Sequence, residues 1–129
     1  MESKIESKIA LITGGAYGIG YSIAKGLPFA KIEFNCCKEE YMKQALENYK
    51  KDWIEVKRYY ADVTKEEEVK ELNAKIEKVL GVIDILVNNA GIIKRISMCE
   101  IDVSEFKEVI DIDLVAPFIV AKNYMPQMI

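Results

Sequence analysis

The sequence predicts an α/β fold, a doubly wound parallel sheet that is truncated after about four strands. Three observations support this prediction. Short apolar runs alternate with segments of helical periodicity, in the order β-α-β-α-β-α-β-α. Glycines follow the first apolar run directly, and the turn sequence Asn-Asn-Ala-Gly at residues 88–91 follows the fourth. Strands separated by helices call for parallel pairing, right-handed crossovers and helices on both faces of the sheet.

The first half of the chain contains three predicted strands and two predicted helices. Residues 8–13 are expected to form a buried strand because their apolar run is short and stops at Gly14. A helix is expected to begin within the glycine segment, and Pro28 is expected to end or kink it. The next strand, helix and strand are predicted at residues 31–35, 39–51 and 54–61.

The third helix has the best-defined start in the sequence. Thr64 and Glu67 have the spacing of a capping box, which predicts that the helix begins at Thr64. Apolar residues follow at helical spacing, and Gly81 is the expected C′ residue. Residues 82–87 then predict the fourth strand, which is apolar apart from one aspartate.

The last helix is predicted from a second capping box. Asp102 and Glu105 have the required spacing, so a helix is expected over about residues 103–125, with Pro117 as a point of kinking. A sheet of four strands would leave the fourth strand as an open edge and would expose the apolar side of this helix. We therefore expect marginal stability and self-association, or pairing with a full-length homologue.

Composition restricts the classes of function. A net charge of -3 and a pI near 5.1 argue against a nucleic-acid partner. No apolar run approaches the roughly 18 residues that span a bilayer, and the N-terminal residues do not resemble a signal peptide. Three cysteines without framework spacing suit a reducing cytoplasm, and the absence of histidine argues against a metal site or a His-based triad. The sequence predicts one cytoplasmic domain over residues 1–129, without membrane contact.

The glycine segment has the form of an anion-binding loop. Gly14, Gly18 and Gly20 are spaced G-x-x-x-G-x-G between a strand and a helix. Glycine lets the backbone approach a ligand closely, and the N–H groups and dipole of a helix N-terminus favour an anion such as pyrophosphate. The alternative interpretation is a tight strand–helix turn that binds nothing. We call residues 14–20 the glycine loop.

Residues 88–91 strengthen the ligand-binding interpretation. In a doubly wound sheet, the carboxyl end of the fourth strand lies beside the crevice to which the first strand brings its glycines. The small residues Ala90 and Gly91 permit the close approach of an adenosine, and Asn amides can join loops or ribose oxygens. An ordinary turn is the alternative.

These motifs resemble those of the short-chain dehydrogenase/reductase family. The likeness rests on the glycine loop, on Asp62-Val63 after the third strand and on residues 88–91, and it extends over residues 8–129. Within the family, residues 81–93 and 109–120 are similar to the gluconate 5-dehydrogenase branch. The resemblance implies a Rossmann-like fold, NAD or NADP as cofactor, and hydride transfer to or from a polyol or sugar acid such as gluconate and 5-ketogluconate.

The resemblance also implies roles for individual residues. Four residues of the glycine loop would line the pyrophosphate, namely Gly14, Gly18, Ile19 and Gly20. The remaining contacts would be Asp62 and Val63 beside adenine, Asn89, Ala90 and Gly91 at the adenosine ribose, and Ile112 near the nicotinamide-side ribose. Asp113 falls where most of the family has a catalytic-network Asn, and it is the one catalytic candidate.

Two segments depart from the family pattern. Cys36 stands where related enzymes place the Asp that binds the 2′-OH of NAD. Lys38 could reach a phosphate, but an exposed lysine at a helix start is the favoured interpretation, so the choice between NAD and NADP stays open. The segment between Gly20 and Phe34 is about two residues shorter than in the family, which indicates weakened constraint or a local rearrangement.

The family's catalytic Ser and Tyr-x-x-x-Lys are the third departure. They would follow the next strand, so we expect this chain to lack the catalytic half. Tyr21 and Lys25 have the spacing of the motif, but they lie on the glycine-loop helix, and we reject them as catalytic. The leading hypothesis is an N-terminal fragment of an NAD(P)-dependent oxidoreductase that is inactive alone. The alternatives are a non-catalytic dinucleotide-binding or interaction module and a folded remnant without a ligand.

Overall fold

In the parts of the chain that the structure describes there are four strands and five α-helices, which alternate as far as the fourth strand. The computed structural model describes residues 7–27, 31–36 and 39–129. The strands are β1 Ile9–Thr13, β2 Lys31–Cys36, β3 Val56–Tyr60 and β4 Ile85–Val87. The helices are α1 Gly18–Lys25, α2 Glu39–Lys51, α3 Glu66–Val79, α4 Val103–Ile110 and α5 Ala116–Met128, with a π-helical segment, Asp111–Val115, between the last two.

The strands form one parallel sheet in the order β3-β2-β1-β4. β1 lies in the centre, where Ala10 is opposite Ile32 of β2 and Ile85 of β4. The predicted α/β class, the parallel pairing and the four strands are confirmed. Among the described strands, none pairs with the outer edge of β4.

Helices cover both faces of the sheet because alternate side chains of β1 point to opposite sides. Ile9 and Leu11 pack into one buried cluster with residues of α3 and α5. Ala10 and Ile12 pack into the other with residues of α1 and α2. All five β1 residues are buried, as the apolar run predicted. No helix in the described ranges is both long enough and apolar enough to cross a membrane.

The predicted start of the third helix is wrong. α3 begins at Glu66 with Lys65 as its N-cap, two residues after Thr64, and no side chain caps it. The Thr64 hydroxyl instead donates to the Asp62 carboxylate at 2.6 Å. Asp62 competes locally for the hydroxyl that the capping box would use. The predicted end is correct, because Gly81 follows the C-cap with a φ of +99° and donates to the Glu77 carbonyl.

The fourth strand is shorter than predicted. Asp84 N donates to the Ile9 carbonyl, while Ile9 N donates to the Asp84 carboxylate instead of to a backbone oxygen, each at 2.9 Å. This side-chain bond substitutes for the ladder, so regular pairing starts only at Ile85. Ile83, just before it, is buried in the core beside α3.

The predicted last helix is present but irregular. The capping box of Asp102 and Glu105 is formed, with Asp102 N donating to Glu105 Oε2 at 3.0 Å. The irregularity near Pro117 takes the form of a π-helical segment that ends two residues before it. Pro117 has no N–H to donate to the carbonyl four residues earlier, so the regular α-helical hydrogen bond is missing there. Just before it, Ala116 N donates to the Asp111 carbonyl five residues earlier, which is the wider π-helical hydrogen bond.

Some predictions fall outside the described residues. The stop at Pro28 and the cofactor-selecting position at Lys38 belong to residues that the structure does not describe. For Cys36 only the backbone is described, as the last residue of β2. The two-residue shortening between α1 and β2 spans the same undescribed segment.

Candidate functional site

A cavity of about 330 Å³ opens at the carboxyl ends of β1, β3 and β4. Its size is within the range of small-molecule sites. The described residues that line it come from five places, namely the glycine loop, the first turn of α2, the loop after β3, the loop after β4 and the π-helical segment. They are Gly14, Ala16, Tyr17, Gly18, Ile19, Tyr41, Ala61, Asp62, Val63, Thr64, Asn89, Ala90, Gly91, Ile92 and Ile112.

The structure brings most of the predicted site residues together. Nine of the eleven line the cavity, all except Gly20 and Asp113. Asp62 is the only lining residue in the described part of the chain that carries a formal charge. Six of the fifteen described lining residues are glycine or alanine, which permits close backbone approach to a ligand at those positions.

Two glycines of the loop adopt a backbone conformation that glycine favours. Gly14 has a φ of +65° and Gly18 a φ of +62°. A Cβ on Gly14 would lie 2.9 Å from the Cα of Ala90, so the first strand's loop could not approach the loop after β4. A Cβ on Gly18 would meet nothing within 4 Å, because this residue faces open space at the cavity.

Gly20 supports the loop from behind. It is buried, and a Cβ there would lie 2.7 Å from the carbonyl oxygen of Gly14 and 3.0 Å from the Cα of Gly15. A side chain would also overlap the amide nitrogen of Asn89. The absence of a side chain at Gly20 therefore lets α1 pack directly against the loop backbone.

The N-terminus of α1 faces the cavity without a side-chain cap. Tyr17 is the N-cap residue, its backbone is extended, and its side chain makes no capping hydrogen bond. Gly18 and Ile19, the first two residues of the helix, both line the cavity. A helix N-terminus carries partial positive charge and N–H groups that favour an anion.

Thr13 joins the glycine loop to the loop after β4. It is a buried polar residue, 1% exposed, at the end of β1. Its hydroxyl oxygen accepts hydrogen bonds from Asn89 N at 3.0 Å and from Ala90 N at 3.1 Å. The hydroxyl itself donates to the Val87 carbonyl at 3.4 Å. One side chain at the end of β1, directly before the glycine loop, thus holds the backbone of the loop after β4.

The two asparagines act on different neighbours. The Asn89 side-chain amide donates to the Gly14 carbonyl at 3.0 Å, so it joins the two loops, as an Asn at this place can. The Asn88 amide instead donates to the Pro117 carbonyl at 3.3 Å, on the side of the last helix. Asn89 therefore belongs to the cavity, and Asn88 anchors the helix that follows.

Asp62 organises the wall after β3. Its carboxylate accepts from Thr64 N at 3.0 Å and from the Thr64 hydroxyl, while Asp62 N donates to Glu68 at 3.2 Å. The turn holds Val63 buried and turned toward the core. Glu68 is the third residue of α3, so the acidic first turn of the helix also fixes this loop.

The π-helical segment positions Ile112 and Asp113 differently. Ile112 lines the cavity, whereas Asp113 is outside the lining. Asp113 Oδ1 accepts from Ile92 N at 2.9 Å and lies beside Gly91, where a Cβ would come within 3.2 Å of it. Asp113 therefore holds the loop after β4 against the last helix.

Sequence reasoning missed several lining residues. Tyr17 and Tyr41 have ring centroids 5.1 Å apart, and both are largely exposed at the edge of the cavity. Their signal was weak: Tyr17 lies inside the glycine loop, and Tyr41 lies in the first turn of the helix that follows β2. The structurally central Thr13 was also missed, although a polar residue ending a buried apolar strand could have indicated it.

Tyr21 and Lys25 are not among the described lining residues. The Tyr21 hydroxyl donates to the Asp52 carboxylate and lies 3.0 Å from the Asn48 carbonyl, at the far end of α2. Lys25 pairs with Asp52 at 3.4 Å. These side chains therefore join α1 to the C-terminal end of α2, and they do not line the cavity.

The sequence matches the family described as short chain dehydrogenase over residues 8–129. A 2-dehydro-3-deoxy-D-gluconate 5-dehydrogenase of Formosa agariphila is 44% identical over 129 residues, covering 97% of this chain and 48% of the relative. A 5-keto-D-gluconate 5-reductase of Escherichia coli K12 is 35% identical over 127 residues, covering 97% of this chain and 50% of the relative.

A solved structure supports the same likeness. The 2-keto-3-deoxy-D-gluconate dehydrogenase from Streptococcus agalactiae superposes with a TM-score of 0.84 at 51% identity, over 96% of this chain and 47% of that one. The chain spans about half the length of the curated relatives it matches. The resemblance to the gluconate branch is confirmed by these relatives, and the chain belongs to the short-chain dehydrogenase family.

Proposed function

We propose that the cavity binds the dinucleotide NAD or NADP. The observation that carries this proposal is the convergence of the glycine loop, the uncapped N-terminus of α1 and the loops after β3 and β4 on one cavity. In open α/β sheets, ligands bind outside the carboxyl ends of the strands, and dinucleotides place their pyrophosphate at the first helix. Members of the short-chain dehydrogenase family bind NAD(P), which agrees with this assignment.

The proposal assigns each wall to a part of the ligand. The glycine loop residues Gly14, Gly18 and Ile19 contact the pyrophosphate, with Gly20 supporting their backbone. The loop after β3, Asp62 and Val63, flanks the adenine. The remaining contacts are Asn89, Ala90 and Gly91 at the adenosine ribose and Ile112 toward the nicotinamide. Asp113 is proposed as a member of the catalytic network because it stands where most of the family has an Asn, and its bond from Ile92 N holds it beside the loop after β4.

For the whole protein, we propose hydride transfer between NAD(P) and a hydroxyl or carbonyl of a six-carbon sugar acid. The names of the relatives support this substrate class, since they act on 2-dehydro-3-deoxy-D-gluconate and 5-keto-D-gluconate. In the 129 residues, the only Tyr-x-x-x-Lys spacing is that of Tyr21 and Lys25, which join α1 to α2. We propose that residues 1–129 form one cytoplasmic domain that binds the dinucleotide but does not by itself catalyse the reaction.

Titration of the purified chain with NADH and NADPH tests the proposal, with nucleotide fluorescence and melting temperature as readouts. Saturable binding should raise the melting temperature, by an amount equivalent to about 2.7 kcal/mol at a ligand concentration of 100 Kd. Gly18→Val should abolish binding by filling the open space at the cavity. The control is Gly81→Val, because Gly81 also has a positive φ and open surroundings but lies outside the cavity.

The two glycine variants should lose similar stability, since both force a branched side chain into a glycine conformation. Only Gly18→Val should lose the nucleotide. A folded chain that binds neither dinucleotide would overturn the proposal. Equal loss of binding in both variants would show that the cavity assignment is wrong.

A second candidate function is an interaction module that self-associates or pairs with a full-length homologue. Two observations favour it. Phe106, Leu114 and Phe118 of the last helical segments are each more than half exposed, and no described strand pairs with the outer edge of β4. Such a surface is typical of protein contacts. Light scattering tests this candidate: a concentration-dependent dimer supports it, and a monodisperse monomer with cooperative melting contradicts it.

A further inference from the structure

A buried tyrosine lies behind the glycine loop, on the side away from the ligand-binding surface. Tyr49 of α2 is fully buried and is not among the described lining residues. Its hydroxyl donates to the carbonyl oxygen of Gly15 at 2.6 Å. The bond joins positions 34 residues apart, from α2 to the second residue of the glycine loop.

The carbonyls of two consecutive loop residues are held from different sides. Tyr49 holds that of Gly15, and the Asn89 amide holds that of Gly14 at 3.0 Å. In a planar trans peptide the carbonyl and the following N–H point in opposite directions. Fixing these two oxygens therefore fixes the directions of the Gly15 and Ala16 N–H groups. Ala16 lines the cavity, so the Tyr49 bond sets the orientation of an amide at the ligand wall.

Tyr49 is itself held in place by contacts with α1. Its ring packs against that of Tyr21, with centroids 4.7 Å apart. The Tyr21 hydroxyl donates to Asp52, and Lys25 lies 5.7 Å from the centre of the Tyr21 ring and pairs with the same carboxylate. Burial, followed by the hydrogen bond to Asp52, raises the pKa of Tyr21 to about 12, so its hydroxyl stays a donor throughout the neutral range.

We infer that Tyr49 is a positioning residue for the pyrophosphate subsite, which it shapes through the Gly15 carbonyl without touching the ligand. The inference rests on the proposed dinucleotide function. It assigns a functional role to a residue whose burial alone would indicate core packing. The role resides in the hydroxyl, whereas packing resides in the ring, so the two are separable by a single-atom change.

Tyr49→Phe removes the hydroxyl and keeps the ring. The matched control is Tyr124→Phe, the same change at a fully buried tyrosine of α5, in the core on the other face of the sheet. The affinities to be measured are those for NADH, for ADP-ribose and for adenosine, by competition where the ligand is not fluorescent. Loss of one neutral hydrogen bond corresponds to about a three- to tenfold change in an equilibrium.

We expect Tyr49→Phe to weaken NADH and ADP-ribose about three- to tenfold and to leave adenosine unchanged, because only the first two carry the pyrophosphate. Tyr124→Phe should bind all three like the wild type. Equal weakening of all three ligands by Tyr49→Phe, or wild-type affinity for NADH in that variant, would overturn the inference alone. A wild-type chain that binds none of the three would overturn the proposed function and the inference with it.

Discussion

Replacing Gly20 by alanine is expected to disable the glycine loop without placing a new atom in the cavity. The added Cβ would lie 2.7 Å from the Gly14 carbonyl oxygen, whereas ordinary van der Waals contact begins at 3.4 Å. The loop carbonyl must therefore move by about 0.7 Å, the difference between these two distances. The same Cβ would displace the Asn89 amide, whose 3.0 Å bond to Gly14 joins the two loops.

The expected loss of stability follows from two opposing effects. Overpacking a close-packed site costs about 1–3 kcal/mol. Alanine recovers about 0.5–1 kcal/mol through its lower conformational entropy in a helix. The net effect is a loss of up to about 2.5 kcal/mol in the free energy of unfolding, which is the largest cost of about 3 kcal/mol less the smallest recovery of about 0.5 kcal/mol. NADH affinity should fall at least about tenfold, because hydrogen bonds weaken steeply as donors lose alignment.

Urea unfolding and NADH titration of the same preparations measure both effects. Gly26→Ala is the control, since Gly26 ends the same helix with a φ of -80° and a nearest Cβ contact of 3.3 Å. That variant should remain within about 0.5 kcal/mol of the wild type and bind NADH normally. Wild-type affinity in Gly20→Ala would refute the reasoning, as would an equal loss in Gly26→Ala.

Three further predictions concern the supports of the cavity and the helix pair behind it. Thr13→Val should lower the free energy of unfolding by about 1–3 kcal/mol in urea, because two backbone N–H groups lose their acceptor; unchanged stability would contradict this. Asp113→Ala should lower the free energy of unfolding by about 0.5–1.5 kcal/mol, because Ile92 N loses its acceptor. Asp113→Asn should keep the wild-type stability, since its amide oxygen still accepts that bond. Equal losses in the two variants would show that Asp113 does not hold the loop after β4 through this bond. The hydrogen bond from Tyr21 lowers the pKa of Asp52, so this bond stabilises the fold above a pH of about 4 and is lost as the carboxylate is protonated. The difference in melting temperature between the wild type and Tyr21→Phe should therefore narrow from pH 6 to pH 3. A difference that stays constant would contradict the Tyr21–Asp52 hydrogen bond.

The regular elements of the fold were predictable because buried periodicity determines them. The second helix was predicted at residues 39–51 and occupies Glu39–Lys51. The start of α3 was not predictable in the same way, since Thr64 can satisfy either a helix N-terminus or the Asp62 carboxylate. Which of these two hydrogen bonds forms depends on the position of Asp62 after β3. The short β4 has a similar cause, because the Asp84 side chain replaces one step of the ladder.

The parts of the site that depend on backbone conformation were predictable from the sequence. The parts that depend on contacts between elements distant in sequence were not. The glycines indicated close approach, and Gly14 and Gly18 do adopt positive φ values. The sequence could not distinguish Gly18, which faces the cavity, from Gly20, which faces the loop. In the helix predicted at residues 39–51, Tyr49 falls on the same side as Met42 and Leu46, a spacing that indicates only an apolar face. Its hydrogen bond to the loop is a consequence of packing between elements distant in sequence.

The central claim is that the dinucleotide binds across the glycine loop and the loops after β3 and β4. Two-dimensional ¹⁵N–¹H NMR of the labelled chain during NAD⁺ titration tests it most directly, because each amide reports its own surroundings. We expect saturable shifts of the amide signals of Gly14, Gly18, Val63 and Ala90, with the amide signal of Tyr124 in α5 unmoved. Saturable shifts confined to other parts of the chain, or none at the four named amides at saturation, would contradict it.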